Sequence, residues 1–175
     1  MARMSESTFL SSDGKTQLFF REYLPDGEAV GIVQLVHGIA EHIARYDGFA
    51  NYLADNGYIV VGHDQLGHGK SVRDSSTLGF FGEKDGYAAL VRDVHTLTRK
   101  AAETHVNRPV FLLGHSMGSF VARAYVTASG GALTGAVFSG TSGKNPGAAA
   151  GIAVAKMTEK FKGDHFRSAL WSGLQ

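Results

Sequence analysis

Four short apolar segments alternate with polar, glycine-rich segments along the chain, at 31–36, 58–61, 110–113 and 135–138. Such runs are typical of strands that are buried on both faces of a parallel sheet. Between them, apolar residues recur at helical spacing, which predicts a helix after each of the first three strands. The three apolar stripes are Tyr46, Phe49, Ala50, Leu53 and Ala54; Tyr87, Leu90, Val91, Val94 and Leu97; and Met117, Phe120, Val121, Ala124, Tyr125 and Ala128.

A β-hairpin is predicted to precede this alternation. Residues 7–23 form two strand-like runs around Asp13-Gly14, a dipeptide that favours a tight hairpin turn. The order of elements predicts an α/β fold with a mostly parallel sheet and helices on both faces. Ligands bind such sheets at the carboxyl ends of the strands, so the polar segments that begin at positions 37, 62 and 114 are expected to meet at one edge.

The segment 114–118, GHSMG, follows a predicted buried strand and opens a predicted helix. In this context the pattern G-x-S-x-G forms a sharp turn that presents a nucleophilic serine. The turn strains the backbone at Ser116 and leaves no room for side chains at Gly114 and Gly118. His115 lies in the same elbow and is too close in sequence to serve as its base. We therefore predict Ser116 as the catalytic nucleophile; the alternative is that it only caps the helix.

A serine that attacks an acyl carbon also needs hydrogen-bond donors for the negative charge that develops on oxygen. One donor in this type of site is the amide that follows the nucleophile, here Met117, and the other comes from the loop after an earlier strand. The segment 37–39 ends such a strand, and Gly38 allows its backbone to approach closely. We therefore assign the second oxyanion-hole donor to the N–H of Ile39; the alternative is an ordinary strand-to-helix loop.

Three segments resemble those of monoacylglycerol lipases and related lysophospholipases, a branch of the α/β-hydrolases. Residues 37–46, HGIAEHIARY, are similar to the pattern H-G-x-x-E-H-x-x-R-Y of that family. Residues 63–71, HDQLGHGKS, are similar to H-D-x-x-G-H-G-x-S, and residues 114–118 are similar to the G-H-S-M-G elbow. The matches occur in the family's order and cover most of the chain, from the hairpin to residue 138.

The resemblance implies a serine hydrolase that cleaves carboxylic esters, with monoacylglycerol or a lysophospholipid as its substrate and with no metal or cofactor. It also implies that Glu41, His42 and Arg45 brace the loop and do not act on the substrate. Serine peptidases and other carboxylesterases share much of the pattern, so the type of reaction follows more directly than the substrate.

Four histidines near the predicted strand ends are also possible metal ligands. Gly38 and Gly67 interrupt the helix that zinc-protease motifs require, so no metal site is predicted. We expect these histidines to form hydrogen bonds that tie the loops together around the nucleophile. They are His37, His42, His63 and His68.

Composition and charge give no support for some classes of partner and favour one location. The chain has 43% hydrophobic residues, which suits one globular core, and its formal net charge of +1 gives no electrostatic reason to expect nucleic acid. It has no cysteine, so neither a disulfide nor a thiolate metal site can form. Residues 1–8 lack the apolar segment of a secretory signal, and no run is long enough to span a membrane. We predict a cytoplasmic protein without stable membrane insertion.

The acid and base that a nucleophilic serine requires are expected to follow it in the chain. After Ser116 the sequence offers only Glu159, Asp164 and His165, and no predicted strand precedes any of them. Neighbouring residues such as Asp164 and His165 rarely form the required relay, so we do not assign them as catalytic. A non-catalytic α/β-hydrolase-like binding module is therefore the alternative function.

These features predict a hydrolase core over 1–140 and the start of a lid insertion over 141–175, with the fold truncated before its last strands. The 175-residue piece alone is expected to be nearly inactive. Its exposed sheet edge would permit self-association.

Overall fold

The computed structural model describes residues 3–82, 85–163 and 166. Six strands of this part form one sheet, and four α-helices connect or follow them. The strands are β1 (Arg3–Leu10), β2 (Gln17–Leu24), β3 (Gly31–Val36), β4 (Tyr58–His63), β5 (Val110–His115) and β6 (Gly135–Ser139). The helices are α1 (Asp47–Asp55), α2 (Gly86–Thr104), α3 (Met117–Ser129) and α4 (Ala148–Lys162).

The strand order is β1-β2-β4-β3-β5-β6. Strands β4, β3, β5 and β6 are parallel, whereas the hairpin strands β1 and β2 run antiparallel to each other and to β4. Alternate side chains of the sheet pack on α2 and α3 on one face and on α1 on the other. The predicted α/β-hydrolase architecture, a mostly parallel sheet with helices on both faces, is confirmed.

The strand register places three loops side by side. Val36 at the end of β3 pairs with Gly114 of β5, and Leu35 pairs with Gly62 of β4. The loops that follow β3, β4 and β5 therefore leave the sheet from neighbouring positions on one edge, where parallel sheets bind ligands.

The hairpin is anchored to the sheet-covering helix α2 by a buried carboxylate. Gly14 has a φ of 73°, which the tight turn requires and which glycine adopts without a steric penalty. The side chain of Asp93 accepts hydrogen bonds from Ser11 Oγ at 2.7 Å and from the N–H of Ser12 at 2.6 Å. Burial raises the pKa of Asp93 above its usual range.

The prediction that β6 is buried was wrong. Its side chains are largely exposed, and Val137 keeps 56% of its surface accessible. The cause is position: β6 is the edge strand of the described sheet, and α1 covers the sheet closer to its centre. An apolar groove is left beside β6, lined by Val33, Phe49, Leu53, Tyr58, Phe111, Leu112, Leu113 and Val137.

Helix α4 lies within the segment 141–175 that was predicted to start a lid. It presents exposed apolar side chains, including Ile152 and Phe161, and packs none of its residues into the core. The lid interpretation stays a prediction, and residues 164, 165 and 167–175 of that segment lie outside the described part. Across the described residues, no helix combines the length and apolar character that crossing a membrane demands.

Candidate active site around Ser116

Ser116 occupies a strained turn between β5 and α3. Its φ of 52° and ψ of −120° lie in a region that side-chain-bearing residues rarely adopt, and strain of this kind concentrates at functional sites. The surrounding backbone holds the turn in place: the N–H of Ser116 donates to the carbonyl of Ser139 at 2.9 Å, and its carbonyl accepts from the N–H and Oγ of Ser119. Ser116 Oγ itself makes no hydrogen bond to any described residue.

The two glycines that flank Ser116 are required by close backbone contacts. A Cβ at Gly114 would lie 2.5 Å from the carbonyl oxygen of Gly118 and 2.8 Å from Ala122 Cβ. A Cβ at Gly118 would overlap the carbonyl oxygens of Val36 and His37. The elbow therefore packs directly against the end of β3.

The loop after β3 reaches the serine through Gly38. A Cβ at Gly38 would lie 3.0 Å from Ser116 Cβ, so any side chain at this position would displace one of the two segments. The exposed residue Ile39 follows immediately. The sequence-predicted segments 37–39 and 114–118 are thus brought together.

Two backbone amides at this junction are unused within the described part of the chain. Neither the N–H of Ile39 nor that of Met117 donates to another described group. Met117 is the first residue of α3, where amides have no intrahelical acceptor and the helix dipole favours negative charge. Amides in this state can stabilise an oxyanion that forms on an acyl group at Ser116.

Glu41 fixes the start of the same loop. Its carboxylate accepts hydrogen bonds from the N–H of Gly38 and, at 2.8 Å, from the hydroxyl of Tyr46. Arg45 lies 3.4 Å from the other carboxylate oxygen. By contrast His42, also predicted to brace the loop, is exposed, and its side chain makes no hydrogen bond within the described residues.

His37 ties the loop after β3 to the loop after β4. Its Nε2 accepts from the N–H of Gln65 at 3.0 Å, which leaves Nδ1 to carry the proton and donate to the carbonyl of Gly38 at 2.7 Å. The Gln65 side-chain amide donates back to the carbonyl of His37 at 2.6 Å. Burial lowers the pKa of His37 to about 4, so the ring is neutral at pH 7.

Sequence reasoning missed Asp64 as a bracing residue. Its two carboxylate oxygens accept from the N–H of Ile43 and the N–H of Lys70, each at 2.7 Å. Its own carbonyl accepts from Ser71 Oγ at 2.6 Å. The only available signal was its place in the segment 63–71 that carries the family resemblance.

His63 was also expected to tie the loops together by hydrogen bonds, and the structure shows no such bond among the described residues. It is fully buried at the end of β4, packs edge-on against Phe9 with ring centroids 5.5 Å apart, and has no hydrogen-bond partner for either ring nitrogen. Burial lowers its pKa to about 3. Across the described residues, no group of three or more His, Cys, Asp or Glu side chains is arranged to hold a metal.

The described residues that follow Ser116 include no histidine that could serve as its base. Between residues 117 and 163 they include one carboxylate, Glu159 on the exposed helix α4, and no histidine. Asp164 and His165, which the sequence analysis did not assign as catalytic, lie outside the described residues.

Comparison with known proteins places the chain in a family. Residues 27–171 match the family Hydrolase_4, described as serine aminopeptidase, S33. The chain is 34% identical over 136 residues to a monoacylglycerol lipase of Mycolicibacterium smegmatis, covering 78% of this chain and 46% of that protein. It is 40% identical over 92 residues to a monoglyceride lipase homolog of monkeypox virus, covering 51% of this chain and 30% of that protein.

Solved structures give the same result for the fold. The thermostable carboxyl esterase from Bacillus coagulans superimposes with a TM-score of 0.82 and 38% sequence identity, over 91% of this chain and 51% of that one. The chain thus spans about half the length of this esterase, and less than half of the two relatives above. With its strained serine turn, its mostly parallel sheet and a family match over most of its length, the chain belongs to the serine aminopeptidase S33 family of α/β-hydrolases.

Proposed function

We propose that the protein hydrolyses carboxylic esters through an acyl-enzyme on Ser116. The observation that carries the proposal is the strained backbone of this residue, with φ 52° and ψ −120°, beside two unused amides. A serine that only capped a helix would need neither this conformation nor a glycine at position 38, where an added Cβ would lie 3.0 Å from the Cβ of Ser116. The carboxyl esterase and monoacylglycerol lipase relatives support the same class of reaction.

In the proposed reaction, Ser116 Oγ forms a bond to the ester carbonyl carbon as its proton passes to a base. The carbonyl electron pair moves onto oxygen, where the amides of Ile39 and Met117 stabilise it. The intermediate collapses, the alcohol leaves with the proton, and water then releases the acid from Ser116 by the same steps. We propose that the base and its orienting carboxylate come from residues other than those described.

Monoacylglycerol or a lysophospholipid is the proposed substrate class. The support is the similarity to the mycobacterial monoacylglycerol lipase and the resemblance of the three sequence segments. Both candidates are single-chain acyl esters, and they differ in whether the alcohol carries a phosphate group. Comparing them as substrates separates the two.

The experiment is labelling of the native full-length protein with a fluorophosphonate probe, together with hydrolysis of monoacylglycerol and lysophospholipid. We expect labelling and turnover in the wild type, loss of both in Ser116→Ala, and retention of both in Ser129→Ala, an exposed serine at the end of α3. Labelling that persists in Ser116→Ala would contradict the assignment of the nucleophile.

The second candidate is a non-catalytic binding module. It is favoured by the fact that Ser116 Oγ has no hydrogen-bond partner among the described residues. A protein with this function would bind an acyl ester without labelling and without turnover, so the same experiment distinguishes the two candidates.

A further inference from the structure

In the proposed reaction the loop after β3 presents the N–H of Ile39 to the substrate. Different side chains bind the peptide groups on either side of this residue. The N–H of Gly38 is occupied by Glu41. The carbonyl of Gly38, which shares a peptide plane with the N–H of Ile39, accepts from His37 Nδ1. Because the C=O and N–H of a trans peptide point in opposite directions, binding this carbonyl on the buried side turns the Ile39 N–H away from it.

The next peptide plane is held by a different residue. The N–H of Ala40 donates to His68 Nε2 at 3.2 Å. Ala40 has a φ of 57°, a left-handed conformation that costs a residue with a side chain about 1 kcal/mol or more and persists only when the surroundings hold it. The hydrogen bond to His68 therefore restrains the strained residue directly after Ile39.

His68 is itself fixed in position and in protonation state. Since its Nε2 accepts a hydrogen bond, the proton lies on Nδ1, which donates to the carbonyl of Leu66 at 2.9 Å. The residue is 4% exposed, and its ring stacks on that of Phe81 at an interplanar angle of 15°. Burial lowers its pKa, so the acceptor nitrogen stays unprotonated at pH 7 even with Asp64 and Glu41 nearby.

We propose that His68 is a positioning residue: through the hydrogen bond it accepts from Ala40, it orients the Ile39 amide toward the acyl oxygen bound at Ser116. This inference rests on the proposed function. It assigns His68 no contact with the substrate; the ring acts only through the backbone of the loop.

Two substitutions separate the acceptor function of His68 from its packing. In His68→Gln, the side-chain oxygen can reach the position of Nε2 and accept from Ala40. In His68→Asn, the shorter amide can occupy the position of Nδ1 and donate to Leu66, but it cannot reach Ala40. We expect His68→Asn to lower kcat at least about 10-fold with little change in KM, because a donor that acts on the transition state is displaced. We expect His68→Gln to recover most of kcat.

A measurement that does not depend on turnover accompanies the kinetics. In ¹⁵N spectra of the full-length protein we expect His68 as the Nδ1–H tautomer, together with slow exchange of the Ala40 amide and fast exchange of the Ile39 amide. Protection of Ala40 should survive in His68→Gln and disappear in His68→Asn. If His68→Asn does not fold, two measurements still test the proposal in the wild type and in His68→Gln. They are the tautomer of His68 in the wild type and the exchange rate of the Ala40 amide in both proteins.

The proposal is overturned by an Nε2–H tautomer, by an unprotected Ala40 amide in the wild type, or by equal losses of kcat in the two variants. Absence of ester turnover in the wild type would contradict the proposed function alone, since the exchange and tautomer measurements test the positioning geometry by themselves.

Discussion

The amide of Ser116 donates to the carbonyl of Ser139 at 2.9 Å, so the end of β6 supports the strained turn that follows β5. The next residue, Gly140, has a φ of 61°, and a Cβ there would lie 3.3 Å from Cε1 of His115. Strand β6 thus contacts the site through its carboxyl end, although its two faces are exposed.

Gly140→Ala is expected to disturb the elbow. Alanine is strained at this φ by about 1 kcal/mol and would press on the ring of His115. We expect ester turnover or fluorophosphonate labelling of the full-length protein to fall several-fold. Gly143→Ala is the matched control, because a Cβ at Gly143 meets nothing within 4 Å. Equal ester turnover and labelling in Gly140→Ala and Gly143→Ala would contradict a role for the end of β6 in the site.

Gly118→Ala is expected to destabilise the whole fold. The added methyl would overlap two carbonyl oxygens at the end of β3, and backbone atoms there cannot move without shifting the strand. We expect a loss of about 3 kcal/mol or more in the free energy of unfolding, measured by urea denaturation. In Gly151→Ala, on the exposed helix α4, the same added methyl should be neutral or slightly stabilising, because alanine favours helix.

The bounds of the four parallel strands could be predicted from sequence to within about two residues, because such a strand is a short apolar run. The apolar stripes located the covering helices but not all their ends: α2 continues to Thr104, seven residues past the last residue of its stripe. The predicted strand at 58–61 extends to His63, since a histidine and a glycine at its end resemble a loop in sequence. The serine turn could also be predicted because its chemistry lies in five consecutive residues. His68 was expected to tie loops together, but its partner Ala40 and the bond from Ile43 to Asp64 could not be predicted, because each bond joins residues more than 20 positions apart.

Asp93→Asn is expected to hold or raise stability at neutral pH. Asparagine can still accept from the N–H of Ser12 and can donate to Ser11 Oγ, and it avoids the buried charge. The pKa of Asp93 is raised in the folded protein. Between its pKa values in the unfolded and folded states, the native state therefore binds more protons than the unfolded state. The free energy of unfolding of the wild type thus rises as pH falls through this window. Any advantage of Asp93→Asn should therefore shrink on acidification.

Urea denaturation from neutral pH to pH 4 measures this difference. Asp93→Ala is the contrasting variant, which leaves Ser11 and Ser12 without their acceptor and should lose about 1–3 kcal/mol. An advantage of Asp93→Asn that grows on acidification would contradict the interpretation.

The buried neutral histidines predict a loss of stability in acid. The pKa of His63 is lowered to about 3 in the folded protein, against about 6.5 in an unfolded chain. The unfolded state therefore binds more protons in this interval, and stability falls as pH drops below about 6.5. His63→Met, which removes two unpartnered ring nitrogens, should flatten this decline by up to about 1.4 kcal/mol per pH unit.

The comparison is made by urea denaturation at several pH values between 7 and 4. His37 is expected to contribute a further decline in both proteins, because its pKa is lowered to about 4. If the free energy of unfolding had the same slope against pH in the wild type and in His63→Met, His63 would not take up a proton on unfolding as its burial requires.

The double hydrogen bond of the Asp64 carboxylate has a consequence for how the loops can vary in length. The amides of Ile43 and Lys70 are both bound to one side chain, so adding or removing a residue between 64 and 70 would pull Lys70 out of register with the loop after β3. The number of residues from Asp64 to Lys70 should therefore stay constant among active relatives.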